Sequence, residues 1–384
     1  MAISRQMLRE ILLDNQKDVM SYSVQKRNFD LDSFNLLVFI GVRRCGKSFL
    51  LYQKIQSMLE AGHTWTDMLY LDFEDIRLEG FTAEDFNLIL ECHQEMYGRR
   101  PMLFLDEIQN IPGWEKFARN LADRKYSVFI TGSNARMLSK EVMSSLGGRY
   151  IPVEVYPFSF EEYLSIKGVA SDEMALSATE SRAAFFRAYE EYFRWGGLPE
   201  TANLAVKRNY LTSLFQKIYL GDVVQRNNVS NPKALQLMIK KITESIMHPL
   251  SYNRLANILS GISGKISVPT VSSYVSHSED AWLLLRLRNI SSAFSERENT
   301  CKYYLIDNGL ISLQLLDCDT ILFENMVALD LFRRYGHDDD NERVWFYSDN
   351  VEVDFYVPEN TITDDCGTIE VIPFWEWALV PRKK

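Results

Sequence analysis

Apolar residues in the first 155 positions gather into five short runs. They are Leu36-Leu37-Val38-Phe39-Ile40, Met68-Leu69-Tyr70-Leu71, Met102-Leu103-Phe104-Leu105, Val128-Phe129-Ile130-Thr131 and Ile151-Pro152-Val153-Glu154-Val155. Runs of this length, bounded by turn residues, suit strands covered on both faces. The intervening stretches are amphipathic, and residues 5–20 place Met7, Leu8, Ile11, Leu12 and Val19 at helical spacing. Strands alternating with helices of roughly 10–15 residues predict an α/β domain with a parallel sheet flanked by helices.

From about Phe158 the strand runs stop. Glu161 to Ile166, Ser181 to Arg194 and Lys207 to Val224 read as helices, with Gly196-Gly197-Leu198-Pro199 as a breaker that separates helices or docks against the first domain. Leu250 to Ala256 and Val268 to Tyr274 open two further helices across a Gly-containing turn, a helix-turn-helix pattern. Strand signals return at Cys301 to Ile306 and Val344 to Val357, around a helix from Phe323 to Tyr335. The expected organisation is a nucleotide-type domain over residues 1–165, a helical module over 166–300 and a small α+β domain over 301–384.

Composition narrows the classes. The 384 residues exceed one ordinary domain. With 46% hydrophobic and 24% charged residues, the chain is neither disordered nor fibrous. Its 42 Lys+Arg against 52 Asp+Glu leave a net charge of −10, which excludes bulk binding of polyanions. No apolar run approaches the ~18 residues that cross a bilayer, and the opening residues lack a secretory apolar core. The five cysteines form no Cys-x-x-Cys pair. Zinc and a disulfide framework are therefore not expected, and a cytoplasmic protein with reduced thiols is.

The candidate chemistry lies after the first run. Gly41-Val42-Arg43-Arg44-Cys45-Gly46-Lys47-Ser48 fits G-x-x-x-x-G-K-[ST] and leads straight into a helix at Phe49. Backbone N–H groups of such a loop converge on phosphate oxygens at a helix N-terminus. Gly41, Arg44, Cys45, Gly46, Lys47, Ser48 and Phe49 are thus the expected nucleotide-binding residues. Lys47 reaches the β and γ phosphates and Ser48 binds Mg²⁺. Asp106 and Glu107 end the third run, at the strand end where α/β sheets bind ligands. Asp106 is expected to hold Mg²⁺ through its water shell, and Glu107 to orient and polarise the attacking water. Thr131-Gly132-Ser133-Asn134 ends the next run; Asn134 or Ser133 would hold that water, against the plainer reading of a strand-ending turn. Arg149 stands before the last run, either an arginine finger acting in cis or in trans, or a surface ion pair. No Asn-Lys-x-Asp element reads guanine, so ATP is the expected nucleotide.

These motifs, with Leu103 to Gln109, Asn110-Ile111-Pro112-Gly113-Trp114, Ser145 to Tyr150 and Val155 to Phe160, resemble a bacterial and archaeal group of AAA-type P-loop ATPases near the archaeal and STAND-type ATPases. Gly196 to Glu200, Tyr304 to Leu310, Glu324-Asn325 and Glu352 to Phe355 resemble the C-terminal domain of unknown function in that group. The resemblance implies an AAA-type core followed by a winged helix and a degenerate restriction-endonuclease-like domain.

Two further activities can be weighed from the residues. Residues 225–300 hold nine Lys+Arg and five Asp+Glu, yet Thr270 to Leu285, the expected recognition helix, carries no basic residue. DNA binding needs phosphate-neutralising cations and base-reading side chains, so DNA is not favoured over a protein partner. A restriction-type nuclease site needs several carboxylates and a lysine. Glu324, Asp354 and Glu370 are available, but Ile372 stands where the lysine belongs, the only nearby cations are Arg382, Lys383 and Lys384, and Asp338-Asp339-Asp340 reads as a solvated turn. Trp375 and Trp377 suggest a protein-contact surface. The expected function is Mg²⁺-dependent ATP binding and hydrolysis driving a switch or motor on an unidentified protein, with homo-oligomer formation open. The rivals are a weakly hydrolysing ATP-sensing scaffold and an ATP-gated DNA-binding or nuclease protein.

Overall fold

All five apolar runs form strands: β1 (Leu36–Ile40), β2 (Met68–Asp72), β3 (Met102–Asp106), β4 (Val128–Gly132) and β5 (Ile151–Glu154). They make one parallel sheet in the order β2-β3-β4-β1-β5. In the register Ile40 lies beside Gly132 and Glu154, and Asp72 beside Asp106, so the strand ends form a common C-terminal edge. The computed structural model describes residues 3–138, 140–336, 343–349, 351–358 and 377–379. The chain divides into two units, Met1–Val155 and Tyr156–Lys384.

In the first unit the sheet is wrapped by α1 (Arg5–Ser21), α2 (Lys47–Glu60), α3 (Phe86–Tyr97), α4 (Trp114–Asp123) and α5 (Lys140–Ser145). Ser4 caps α1 by accepting from Met7 N, which satisfies a donor that the helix itself leaves unpaired. β4, the middle strand, is buried at every residue, as a strand covered on both faces must be.

The second unit begins with α6 (Phe160–Lys167), α7 (Glu173–Ser177) and α8 (Thr179–Trp195). Phe160, Tyr163, Phe185 and Tyr192 form an aromatic core there, with Trp377 and Leu379 packed against it. Trp377 is partly buried, and the Arg334 guanidinium lies 4.4 Å from its ring centroid. Trp375 lies outside the described residues. The predicted helix from 207 to 224 changes character midway. It is α-helical as α9 (Lys207–Gln216) and π-helical over Lys217–Gln225, where buried Asp222 pairs with Arg226 at 3.0 Å.

There follow α10 (Pro232–Glu244), β6 (Leu250–Ser251), α11 (Tyr252–Ser263), α12 (Val268–Asp280), β7 (Leu284–Leu287), α13 (Phe294–Asn299) and β8 (Thr300–Leu305). α11 and α12 are the expected helix pair, and β6, β8 and β7 form an antiparallel sheet in that order. The chain continues through α14 (Asn308–Ser312) and α15 (Asp319–Tyr335) to a hairpin of β9 (Trp345–Ser348) and β10 (Glu352–Tyr356).

The Gly-Gly breaker and the Asp307-Asn308-Gly309 segment meet within this unit. Buried Asp307 accepts from Gly197 N and Gly309 N, each at 2.8 Å. Asn308 Nδ2 donates to Phe193 O and Leu322 O, and Asn325 Nδ2 to Asn308 Oδ1. These motif residues stitch α8, α14 and α15 together, so their role is structural.

Candidate nucleotide site

The loop from Gly41 to Gly46 turns β1 into α2. A Cβ on Gly41 would lie 2.0 Å from Val155 O, so only glycine lets the loop pass β5. Gly46 adopts φ 96°, a left-handed conformation that glycine takes without steric cost. Cys45 is buried, whereas Arg44 and Phe49 are exposed. Arg43 pairs with Glu74 at 2.8 Å.

Lys47 is almost fully buried. Its ammonium donates to Gly41 O (3.2 Å) and Val42 O (3.1 Å) and lies 3.5 Å from Glu107 Oε1. Asp106 is held at both oxygens: Thr131 Oγ1 donates to Oδ1, and Tyr70 Oη to Oδ2 at 2.8 Å. Ser48 also hydrogen-bonds to it. Thr131 Oγ1 in turn accepts from Glu107 N at 2.9 Å. Glu107 takes φ 51° as the chain turns off the sheet.

The two adjacent carboxyls are driven apart in acidity. Burial, reinforced by the Glu107 charge, raises the pKa of Asp106 against the pull of its hydrogen bonds from Thr131, Ser48 and Tyr70. Burial acts the same way on Glu107, but Lys47 and the hydrogen bond from Gln109 outweigh it and hold the carboxyl below its usual range. Glu107 is therefore the more acidic of the two carboxyls, and it faces the loop lysine.

Ser133, rather than Asn134, faces Glu107. It is buried, bonds to Glu107 and accepts from Gln109 Nε2 at 3.4 Å. Asn134 Oδ1 accepts from Arg136 N at 3.0 Å and closes the turn. Gln109, which the sequence reading left without a role, braces Glu107.

Arg149 forms an ion pair with Asp123, both about half exposed. It precedes β5, whose Glu154 is level with Ile40 at the loop edge. Five residues of extended chain span about 17 Å. Within its own chain, Arg149 thus lies at the sheet end opposite the phosphate loop.

The second unit holds a separate charged cluster. Lys302 of β8 has no exposed surface and lies 2.6 Å from Asp354, 3.5 Å from Glu324 and 3.6 Å from Glu352. Tyr304 Oη donates to Glu324 at 3.0 Å. The lysine thought to be missing beside these carboxylates is supplied by another strand. Glu370, Ile372, Asp338 to Asp340 and the cations at 382–384 lie outside the described residues. Four cysteines, Cys45, Cys92, Cys301 and Cys318, are free and buried.

Residues 33–164 match an AAA domain family, and residues 186–320 match DUF8612, a domain of unknown function. The first unit has the parallel-sheet α/β fold of a P-loop domain, and nearly all of the AAA match falls within it. The chain is 30% identical to the uncharacterised protein MJ1544 of Methanocaldococcus jannaschii, over 97% of this chain and 95% of that protein, and belongs to the same family. An uncharacterised protein of Haemophilus influenzae is 29% identical over 87% of this chain and 86% of its own length. Among solved structures, a Walker-type ATPase of Pyrococcus abyssi aligns with a TM-score of 0.40 and 15% identity, over 84% of this chain and 96% of that one. No described helix is long and apolar enough to cross a membrane.

Proposed function

We propose that the first unit binds and hydrolyses ATP with Mg²⁺, as the drive of a cytoplasmic switch or motor acting on another protein. The observation that carries this is the convergence of Lys47, Ser48, Asp106 and Glu107 at the C-terminal edge of the sheet. Ser48 and Asp106 are hydrogen-bonded oxygen donors beside the phosphate loop, a set that fits the hard, oxygen-seeking Mg²⁺ ion. Mg²⁺ bound there would neutralise charge on the β and γ phosphates.

Lys47 exchanges its loop carbonyls for phosphate oxygens. Tyr70 and Thr131 fix both oxygens of Asp106. Glu107, charged and braced by Gln109 and Ser133, orients the attacking water and accepts its proton. Arg149 acts in trans, because in cis it stands at the wrong end of the sheet; a homo-oligomer then completes the site.

In the second unit, α10 to α12 with β6 to β8 have the element order of a winged helix. Its partner is a protein rather than DNA. The outward residues of α12 are Pro269, Ser273 and Ser276, which offer no cation. Arg286 is taken up by Glu279, Arg288 by Glu298, and Arg297 by the carbonyls of Ile290 and Ser292.

Lys47→Ala is expected to abolish ATP binding, and Glu107→Gln to keep binding while losing phosphate release, because Glu107 acts on the water and not on ground-state phosphates. Wild-type turnover in Glu107→Gln would refute its role. Binding without turnover in the wild-type protein would favour the scaffold reading.

A further inference from the structure

α4 buries one face and turns Lys116, Arg119, Asn120 and Asp123 outward to solvent. These four residues and Ser145, at the end of α5, line an open pocket of about 320 Å³. The chain then turns through Gly147 and Gly148, at φ 74° and 63°, left-handed values that glycine takes without steric cost. This turn brings Arg149 back against α4. A Cβ on Gly147 would lie 3.9 Å from both Arg119 Nε and Arg149 Nη1, so the two guanidiniums flank the turn as neighbours. The next residue fixes them there: the buried Tyr150 hydroxyl donates to Ala118 O at 2.7 Å.

Three cations thus gather at one cavity in a chain whose net charge is −10. Asp123 is the one carboxylate among the lining residues, and it pairs with Arg149; Lys116 and Arg119 are exposed beside it. Like charges held together on a fixed scaffold favour an anion between them, and the planar guanidinium fork matches phosphate oxygens. The phosphate does not come from this chain's own loop. The chain steps from β1 to β2 in one direction across the sheet, and from β3 to β4 and β4 to β5 in the other. Right-handed crossovers then put α2 on one face of the sheet and α4 with α5 on the opposite one. Lys47 and Ser48 open α2, so the pocket and the phosphate-loop helix lie on opposite faces.

We propose that this pocket receives the γ-phosphate of ATP held by a second copy of the chain, with Arg119 as a second catalytic cation beside Arg149. This rests on the trans placement of Arg149 above. On docking, phosphate replaces Asp123 as the partner of Arg149, and Arg119 takes up charge on the transferred group. There a water oxygen bonds to the γ-phosphorus as the bond to the β–γ bridging oxygen breaks. ADP leaves with that electron pair, and Glu107 of the copy that holds the ATP takes the proton. Because the other copy's loop binds the ATP, Arg119 acts on turnover and not on ground-state affinity.

The test is steady-state phosphate release by the full chain at saturating Mg·ATP, beside ATP affinity from calorimetry. Arg119→Ala should lower turnover at least about tenfold, with ATP affinity within about twofold of wild type. Mixing Arg119→Ala with Glu107→Gln should restore turnover, since one supplies the water-activating site and the other both arginines; recovery also shows that Arg119→Ala is folded. Mixing Arg119→Ala with Arg149→Ala should restore nothing, because no interface then holds both arginines. Wild-type turnover in Arg119→Ala, a matching loss of ATP affinity, or recovery in the mixture of the two arginine variants overturns the proposal. So does a failure of Glu107→Gln to rescue Arg119→Ala when it rescues Arg149→Ala. If Glu107→Gln rescues neither, the trans reading itself falls and takes this proposal with it.

Discussion

Lys302→Met is expected to destabilise the second unit by about 3 kcal/mol. Breaking a buried ion pair by removing one partner costs about 3–5 kcal/mol, because it leaves an uncompensated charge inside. The lower end applies here. Asp354 and Glu352 are each more than half exposed and return to water, whereas Glu324, 9% exposed, stays inside with only Tyr304 as donor. Burial already raises the Glu324 pKa against the opposing pull of Lys302; without that ammonium it rises further. The cost should therefore shrink as pH falls and Glu324 takes up its proton. For a unit of this size the melting shift would be about 6–12 °C. Two units need not melt together, so the readout is hydrogen exchange of β8 amides in urea, compared with the wild type. Adding Glu324→Gln to Lys302→Met should recover part of the loss, because the stranded charge is gone. A change below about 1 kcal/mol, or no recovery in the double variant, would refute the reasoning.

Two other outcomes follow from single groups. If Arg149 completes a neighbour's site, ATPase activity per protomer should rise with protein concentration, and mixing Arg149→Ala with Glu107→Gln should restore some turnover; concentration-independent activity without rescue would sink the trans arrangement. Burial lifts the Asp307 pKa to about 7, against the hydrogen bonds from Gly197 and Gly309. The folded chain then keeps a proton that the unfolded chain loses from about pH 4. The second unit should thus lose stability as pH rises from about 4 to 7, and denaturant midpoints across that range should show the slope flattened in Asp307→Asn.

The legible parts of this protein were those written in local pattern. Five apolar runs became five strands because a strand covered on both faces needs continuous apolar residues, and the phosphate loop was readable because its glycines and its lysine are fixed by backbone geometry within eight residues. What stayed hidden was set by pairing at a distance. Lys302 looks like any strand lysine until β8 is laid beside β10 and α15. The motif glycines 196 and 197 read as a breaker, since nothing local shows that Asp307, 110 residues on, accepts from one of them. Arg149 is the instructive intermediate case. Its sheet end follows from the sequence alone once the strands are taken as parallel, because a residue that precedes a strand lies opposite one that follows its neighbour. Direction along the strand, as much as membership in a motif, decides whether a charged side chain can reach a phosphate in its own chain.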